Sequence, residues 1–94
     1  MTKVKFAVAG LGRIGKIHLE NLLQMEDVEV VAVMDPMEEC REYAKAKNIP
    51  HITDTYEALL AVAAFDSVVI CSPTDTHADY VEMAAKAGIH VFCE

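Results

Sequence analysis

Val4-Lys5-Phe6-Ala7-Val8-Ala9-Gly10-Leu11-Gly12-Arg13-Ile14-Gly15 is the stretch that decides the fold. Its first half is an apolar β run, and its second half is a Gly-x-Gly-x-x-Gly turn that opens a helix. Twenty positions after Gly15, at the end of the next apolar run, stands Asp35. Each glycine has a separate physical task. Gly10 lets the chain leave the strand sharply, Gly12 leaves room for a pyrophosphate to approach the backbone, and Gly15 lets the helix pack tightly on the sheet. The helix N-terminus then offers unpaired N–H groups and the positive end of its dipole to the phosphates. A glycine turn by itself is also compatible with a purely structural role. Strand, turn, helix and acid together point to a dinucleotide.

The rest of the chain continues the same alternation of strand and helix, with no linker, repeat or low-complexity stretch. After a strand over 4–9 comes a helix over 13–25, on which Ile14, Ile17, Leu22 and Met25 make an apolar stripe. Arg13, Lys16, Glu20 and Gln24 are expected to face water. Val28 to Met34 is continuously apolar, as suits a parallel strand covered on both faces. Pro36 suits the first turn of a second helix over 36–47, acidic early and basic late, which Asn48-Ile49-Pro50 ends. A short strand at His51–Thr53 precedes Asp54-Thr55-Tyr56-Glu57, which resembles a capping box. The helix it opens should bury Tyr56, Leu59, Leu60 and Ala63. A strand over 66–71, a helix over 75–87 stopped by Gly88, and a strand over 89–94 complete the chain. Right-handed crossovers predict an α/β, Rossmann-type doubly wound parallel sheet in the order 3-2-1-4-5. A ligand then belongs in the crevice at the carboxyl ends of strands one and four.

Composition narrows the function classes. Ninety-four residues make one small domain, and a net charge of −7 disfavours nucleic acid or an anionic membrane as partner. No apolar run reaches the roughly 18 residues of a membrane span, and Met1-Thr2-Lys3 leads straight into a strand rather than a secretory segment. Cys40, Cys71 and Cys93 lack metal-type spacing and read as buried thiols in a reducing cytoplasm.

Few side chains are placed for chemistry. Asp35 can accept hydrogen bonds from both hydroxyls of an adenosine ribose and would repel the 2′-phosphate of NADP, which favours NAD; as a helix N-cap ahead of Pro36 it fits equally well. Ser72, Pro73 and Thr74 lie beyond strand four, either against the cofactor or as a plain loop with Thr74 capping the next helix. His77 shares a helix stripe with Val81 and Ala84, so it either contacts the nicotinamide half or packs in the core. His18 reads as a packed structural histidine, and His51 and His90 have no visible partner. No nucleophilic triad and no metal-ligand cluster is evident, so no catalytic residue is assigned.

Three stretches together form a specific match: Val8 to His18, Ser72-Pro73-Thr74-Asp75-Thr76-His77, and Gly88-Ile89-His90-Val91-Phe92-Cys93-Glu94. They resemble the glucose–fructose oxidoreductase and inositol dehydrogenase family of NAD(P)-dependent oxidoreductases. The resemblance implies a cofactor-binding domain over 1–94, incomplete after the fifth strand, with a C-terminal substrate domain beyond it. It implies that Gly10, Gly12, Arg13 and Ile14 line the pyrophosphate and Asp35 the ribose, with Gly15 counted in the same cofactor-binding set. Ser72, Pro73, Thr74, His77 and Glu94 would flank the rest of the NAD. The family's Glu-Lys-Pro motif would begin at Glu94, so its substrate-binding lysine falls outside these residues.

The expected function is therefore the NAD-binding part of a sugar or polyol dehydrogenase, such as one for inositols, inactive by itself. A stand-alone nucleotide-binding module is the alternative. A methyltransferase would share the glycine turn and the acid, but the Gly12–Gly15 spacing counts against it. An uncovered fifth strand predicts a homodimer through that end of the sheet.

Overall fold

A computed structural model describes residues 4–62, 65–71 and 77–93. Five strands form one parallel sheet, β1 (Val4–Ala9), β2 (Val28–Met34), β3 (His51–Thr53), β4 (Ser67–Ile70) and β5 (His90–Cys93), in the order β3-β2-β1-β4-β5. The helices are α1 (Arg13–Leu23), α2 (Glu38–Ala46), α3 (Tyr56–Val62) and α4 (His77–Lys86). Both the Rossmann-type class and the expected strand order are observed. No helix among the described residues is long and apolar enough to cross a membrane.

Alternation along each strand splits the core into two layers. Ala7 and Ala9 of β1 and Val68 and Ile70 of β4 face one side, with Tyr56, Leu59 and Ala84 from α3 and α4. Val8 and Val69 face the other, with Leu19, Leu22 and Ala44 from α1 and α2. Strands buried on both faces explain why β1 and β2 lack a polar alternation. The pairing of β1 with β2 slips by one residue: Phe6 pairs with Val30 and Ala7 with Ala32, leaving Val31 as a bulge. Val31 and Ala32 consequently lie on the same side.

Helix ends follow their sequence signals closely at the C-termini. In α2, Asn48 adopts the left-handed region at φ 61°, Asn48 N–H donates to Lys45 and Ile49 N–H to Ala44. The same arrangement closes α4, where Gly88 has φ 76°, its N–H donates to Ala85, and Ile89 N–H donates to Ala84. Both are Schellman motifs, in which two otherwise unpaired carbonyls are satisfied.

The N-termini depart from expectation. Pro36 is outside α2, whose N-cap is Met37, because the Asp35 carboxylate binds the Met37 N–H and turns the chain before the helix begins. Thr55 caps α3 by accepting the Ala58 N–H at 3.1 Å, but the third helical residue is alanine, so the reciprocal half of a capping box is missing. Tyr56 and Leu59 are buried as expected and Leu60 partly so, while Ala63 lies outside the described residues.

The buried face of α1 is also corrected. It consists of Gly15, Leu19 and Leu22, whereas Ile14 and Ile17 are 48% and 49% exposed. The cause is the contact at Gly15, which fixes the rotation of the helix before its apolar residues can choose. Met25 lies beyond the helix end and is exposed. His18, three residues after Gly15, is half-buried. Lys16 and Glu20 do not simply face water but join α1 to α2. Lys16 Nζ sits 5.1 Å from the Tyr43 ring centroid, and Lys47 pairs with Glu20 at 2.7 Å.

Candidate nucleotide-binding site

The sheet order reverses between β1 and β4, and there the glycine turn lies. Gly10 has φ +97°, a conformation that costs other residues a steric clash, and its N–H donates to Met34 at 2.7 Å. Gly12 is the N-cap of α1, with no side-chain cap and no acid in the first turn. A Cβ built on Gly12 would meet no described residue within 4 Å. Among the described residues the space above this turn is therefore open, and the first N–H groups of α1 have no side-chain acceptor. That is what a pyrophosphate requires: an uncovered helix N-terminus and a backbone it can approach.

Gly15 is the opposite case. A Cβ there would collide with the Gly10 carbonyl oxygen and lie 2.9 Å from the Gly10 carbon and 3.5 Å from Cys71 Cβ. This glycine shapes the turn from behind and does not itself touch the open space.

Asp35 is brought to the same place from the end of β2. It is only 6% exposed, and its two carboxylate oxygens accept the Leu11 N–H at 2.6 Å and the Met37 N–H at 2.8 Å. The acid is thus tied to the glycine turn itself. Each oxygen keeps further acceptor capacity for a ribose hydroxyl. The sequence left open whether Asp35 is a ribose acid or a helix cap. In the structure it caps the loop at Met37, one residue before α2.

Two neighbours of Asp35 escaped the sequence reading. Arg41 is half-buried, and its Nη1 donates to the carbonyls of Asp35 and Pro36, both at 2.9 Å. Cys40 is half-buried, and burial, followed by the negative charge of Asp35, raises its thiol above the usual range. It stays protonated at neutral pH and is no nucleophile. Only the position of Arg41, six residues after the acid and at the start of a helix, hinted at its role.

The other site residues are less fully placed. Arg13 and Ile14 open α1 beside the turn, both exposed. Cys71 carries β4 into the crevice, its N–H donating to Ala9 at 2.8 Å. His77 is the first residue of α4. Its side chain, together with Ser72, Pro73, Thr74 and Glu94, lies outside the described part. Among the described residues no group of three or more His, Cys, Asp or Glu could hold a metal ion.

Comparison with known proteins agrees with this geometry. The family model described as an oxidoreductase family with an NAD-binding Rossmann fold matches residues 4–94. Inositol 2-dehydrogenase of Rhizobium meliloti (strain 1021) is 44% identical over 91 residues, covering 97% of this chain and 27% of that protein. Myo-inositol 2-dehydrogenase of Thermotoga maritima is 38% identical over 92 residues, covering 97% of this chain and 28% of that protein. Among solved structures, scyllo-inositol dehydrogenase from Lactobacillus casei with bound NAD(H) and scyllo-inositol superposes with a TM-score of 0.93 at 29% identity. The match covers 98% of this chain and 28% of that one. The chain thus spans less than a third of the length of these relatives.

Proposed function

This chain belongs to the oxidoreductase family with an NAD-binding Rossmann fold, and on that footing we propose that it is the cofactor-binding part of a dehydrogenase acting on a polyol or sugar. The observation that carries the reading is the open glycine turn with Asp35 tied to it through the Leu11 N–H. The names of the relatives, two inositol 2-dehydrogenases and a scyllo-inositol dehydrogenase, support the substrate class.

In this reading residues 1–94 form a dinucleotide-binding domain that acts with a separate substrate domain. Gly10 and Gly15 set the turn, Gly12 gives access, and the backbone N–H groups of Arg13 and Ile14 hold the pyrophosphate. Asp35 holds the adenosine ribose. Ser72, Pro73, Thr74, His77 and Glu94 flank the nicotinamide half. Bound NAD supplies the hydride acceptor, and the chain's own task is to orient it. The acid–base groups belong to the substrate domain, so the 94-residue chain turns over no inositol by itself. Two half-buried thiols, Cys40 and Cys71, fit a reducing, cytoplasmic setting.

Calorimetric titration with NAD and NADP tests the reading. NAD should bind and NADP should bind at least about tenfold more weakly, since a 2′-phosphate would face the Asp35 carboxylate. Equal or tighter NADP binding would overturn the role given to Asp35.

A homodimer through the β5 end accompanies this proposal. β5 is an edge strand, and Phe92 is 54% exposed even though its ring stacks on Phe6 at 6.0 Å. An apolar edge strand invites pairing with a second copy. Sedimentation equilibrium over a hundredfold concentration range should reveal a dimer that Phe92→Ser weakens. A monomer at every concentration would refute it.

A further inference from the structure

We propose that Lys16 is a phosphate-binding residue of the nucleotide site, a cation resting on the Tyr43 ring that turns to the adenosine-side phosphate when a dinucleotide binds. The proposal rests on the nucleotide reading above and adds a side chain where that reading uses only backbone. Lys16 ends the first turn of α1, and its N–H donates to the Gly12 carbonyl at 2.9 Å. Helical side chains lean toward the N-terminus of their helix, here toward the open glycine turn. Lys16 is half-buried and stands on the flank of α1 that faces α2, with Nζ 5.1 Å from the Tyr43 ring centroid. Its charge also reaches the first turn of α2. Burial and then Asp35 push the Cys40 thiol up, and the Lys16 charge opposes them. The ammonium thus lies on the side of α1 nearest the Asp35 loop.

What this cation lacks is an acceptor. An ammonium can only donate, yet Lys16 makes no hydrogen bond or ion pair with any described residue. Glu20, one turn further along the same flank, is taken by Lys47 at 2.7 Å. The Asp35 oxygens accept the Leu11 and Met37 N–H groups instead. Lys47 lies 5.5 Å from the same ring, so two lysines share Tyr43 and only Lys47 has a carboxylate as well. A half-exposed ammonium gains less from a ring face than from a charge-assisted bond to phosphate. The flexible lysine stem allows that exchange of partners without moving α1.

Calorimetric titration with NAD tests this on the unaltered chain, Lys16→Gln, Lys16→Arg and Lys47→Gln. Lys16→Gln should weaken binding about tenfold, the loss of one charge-assisted hydrogen bond to a phosphate. Lys16→Arg should recover most of that loss, since a guanidinium also binds phosphate. Lys47→Gln removes the same charge from the same ring and should change the affinity less than about twofold. Raising the ionic strength should weaken NAD binding less in Lys16→Gln than in the unaltered chain, a dependence that a brace between α1 and α2 would not produce. A measurement without any substitution stands beside these: at saturating NAD the Lys16 side-chain Cε resonance should shift while that of Lys47 stays in place. An unmoved Lys16 resonance, or equal losses in Lys16→Gln and Lys47→Gln, would overturn the proposal. If the unaltered chain binds NAD and Lys16→Gln binds it as tightly, only the Lys16 assignment falls; if the unaltered chain binds no NAD, the nucleotide reading falls as well.

Discussion

Gly12→Val should leave the fold intact and remove NAD binding. Gly12 has φ −70° and ψ −165°, ordinary extended values that valine adopts without strain. A Cβ there meets no described residue within 4 Å, so the substitution has none of them to displace. Valine is a poorer N-cap than glycine, at a cost of about 1 kcal/mol, which lowers Tm by at most about 8 °C in a domain of this size. The bound pyrophosphate, in contrast, must occupy the space that valine fills. Losing its hydrogen bonds to the start of α1 should weaken NAD binding at least about a hundredfold, since each charge-assisted bond contributes about 1.5–3 kcal/mol. Calorimetry together with a melting curve separates the two effects. A folded Gly12→Val protein that binds NAD normally would show that the turn is only structural.

Gly15→Ala should have the reverse signature: a single methyl that damages the fold. The added carbon collides with the Gly10 carbonyl oxygen and lies 2.9 Å from the carbonyl carbon, both rigid backbone atoms. Overpacking against movable side chains costs about 1–3 kcal/mol, and backbone cannot yield by changing rotamer. We expect a loss of at least about 3 kcal/mol, out of a total of roughly 5–14 kcal/mol for a chain of this length. At about 4–8 °C per kcal/mol, Tm should fall by 12 °C or more. Thermal unfolding followed by circular dichroism measures it directly. An unchanged Tm would mean that α1 can move away from β1 at no cost, contrary to the packing described.

The contrast between these two glycines shows where sequence reading succeeds. The pattern Gly-x-Gly-x-x-Gly anticipated the positive φ of Gly10 and the close packing of Gly15, because each answers a constraint between neighbours in the chain. Strand order was legible for a similar reason: continuous apolar runs and right-handed crossovers leave few topologies. The face of α1 was not legible. Ile14 and Ile17 fit an apolar stripe, but the Gly15–Gly10 contact rotates them outward, and no helical wheel contains that contact. The bulge at Val31 was hidden in a uniformly apolar strand, where a slip of one residue changes no hydropathy. Arg41 was missed because its role depends on reaching back to the carbonyls of Asp35 and Pro36. Asp35 lay between these cases. Its spacing singled it out, while its bond to the Leu11 N–H, which ties the acid to the turn, appears only in three dimensions.

The most direct test of that single site is a residue-resolved amide NMR titration with NAD. The largest shifts should fall together on Leu11, Gly12, Arg13 and Ile14 and on Asp35 and Met37, saturating with one common affinity. The Schellman turns at Asn48 and Gly88 should stay still. Shifts at saturating NAD that spare the Leu11–Ile14 amides, or that appear there without any response at Asp35, would contradict it.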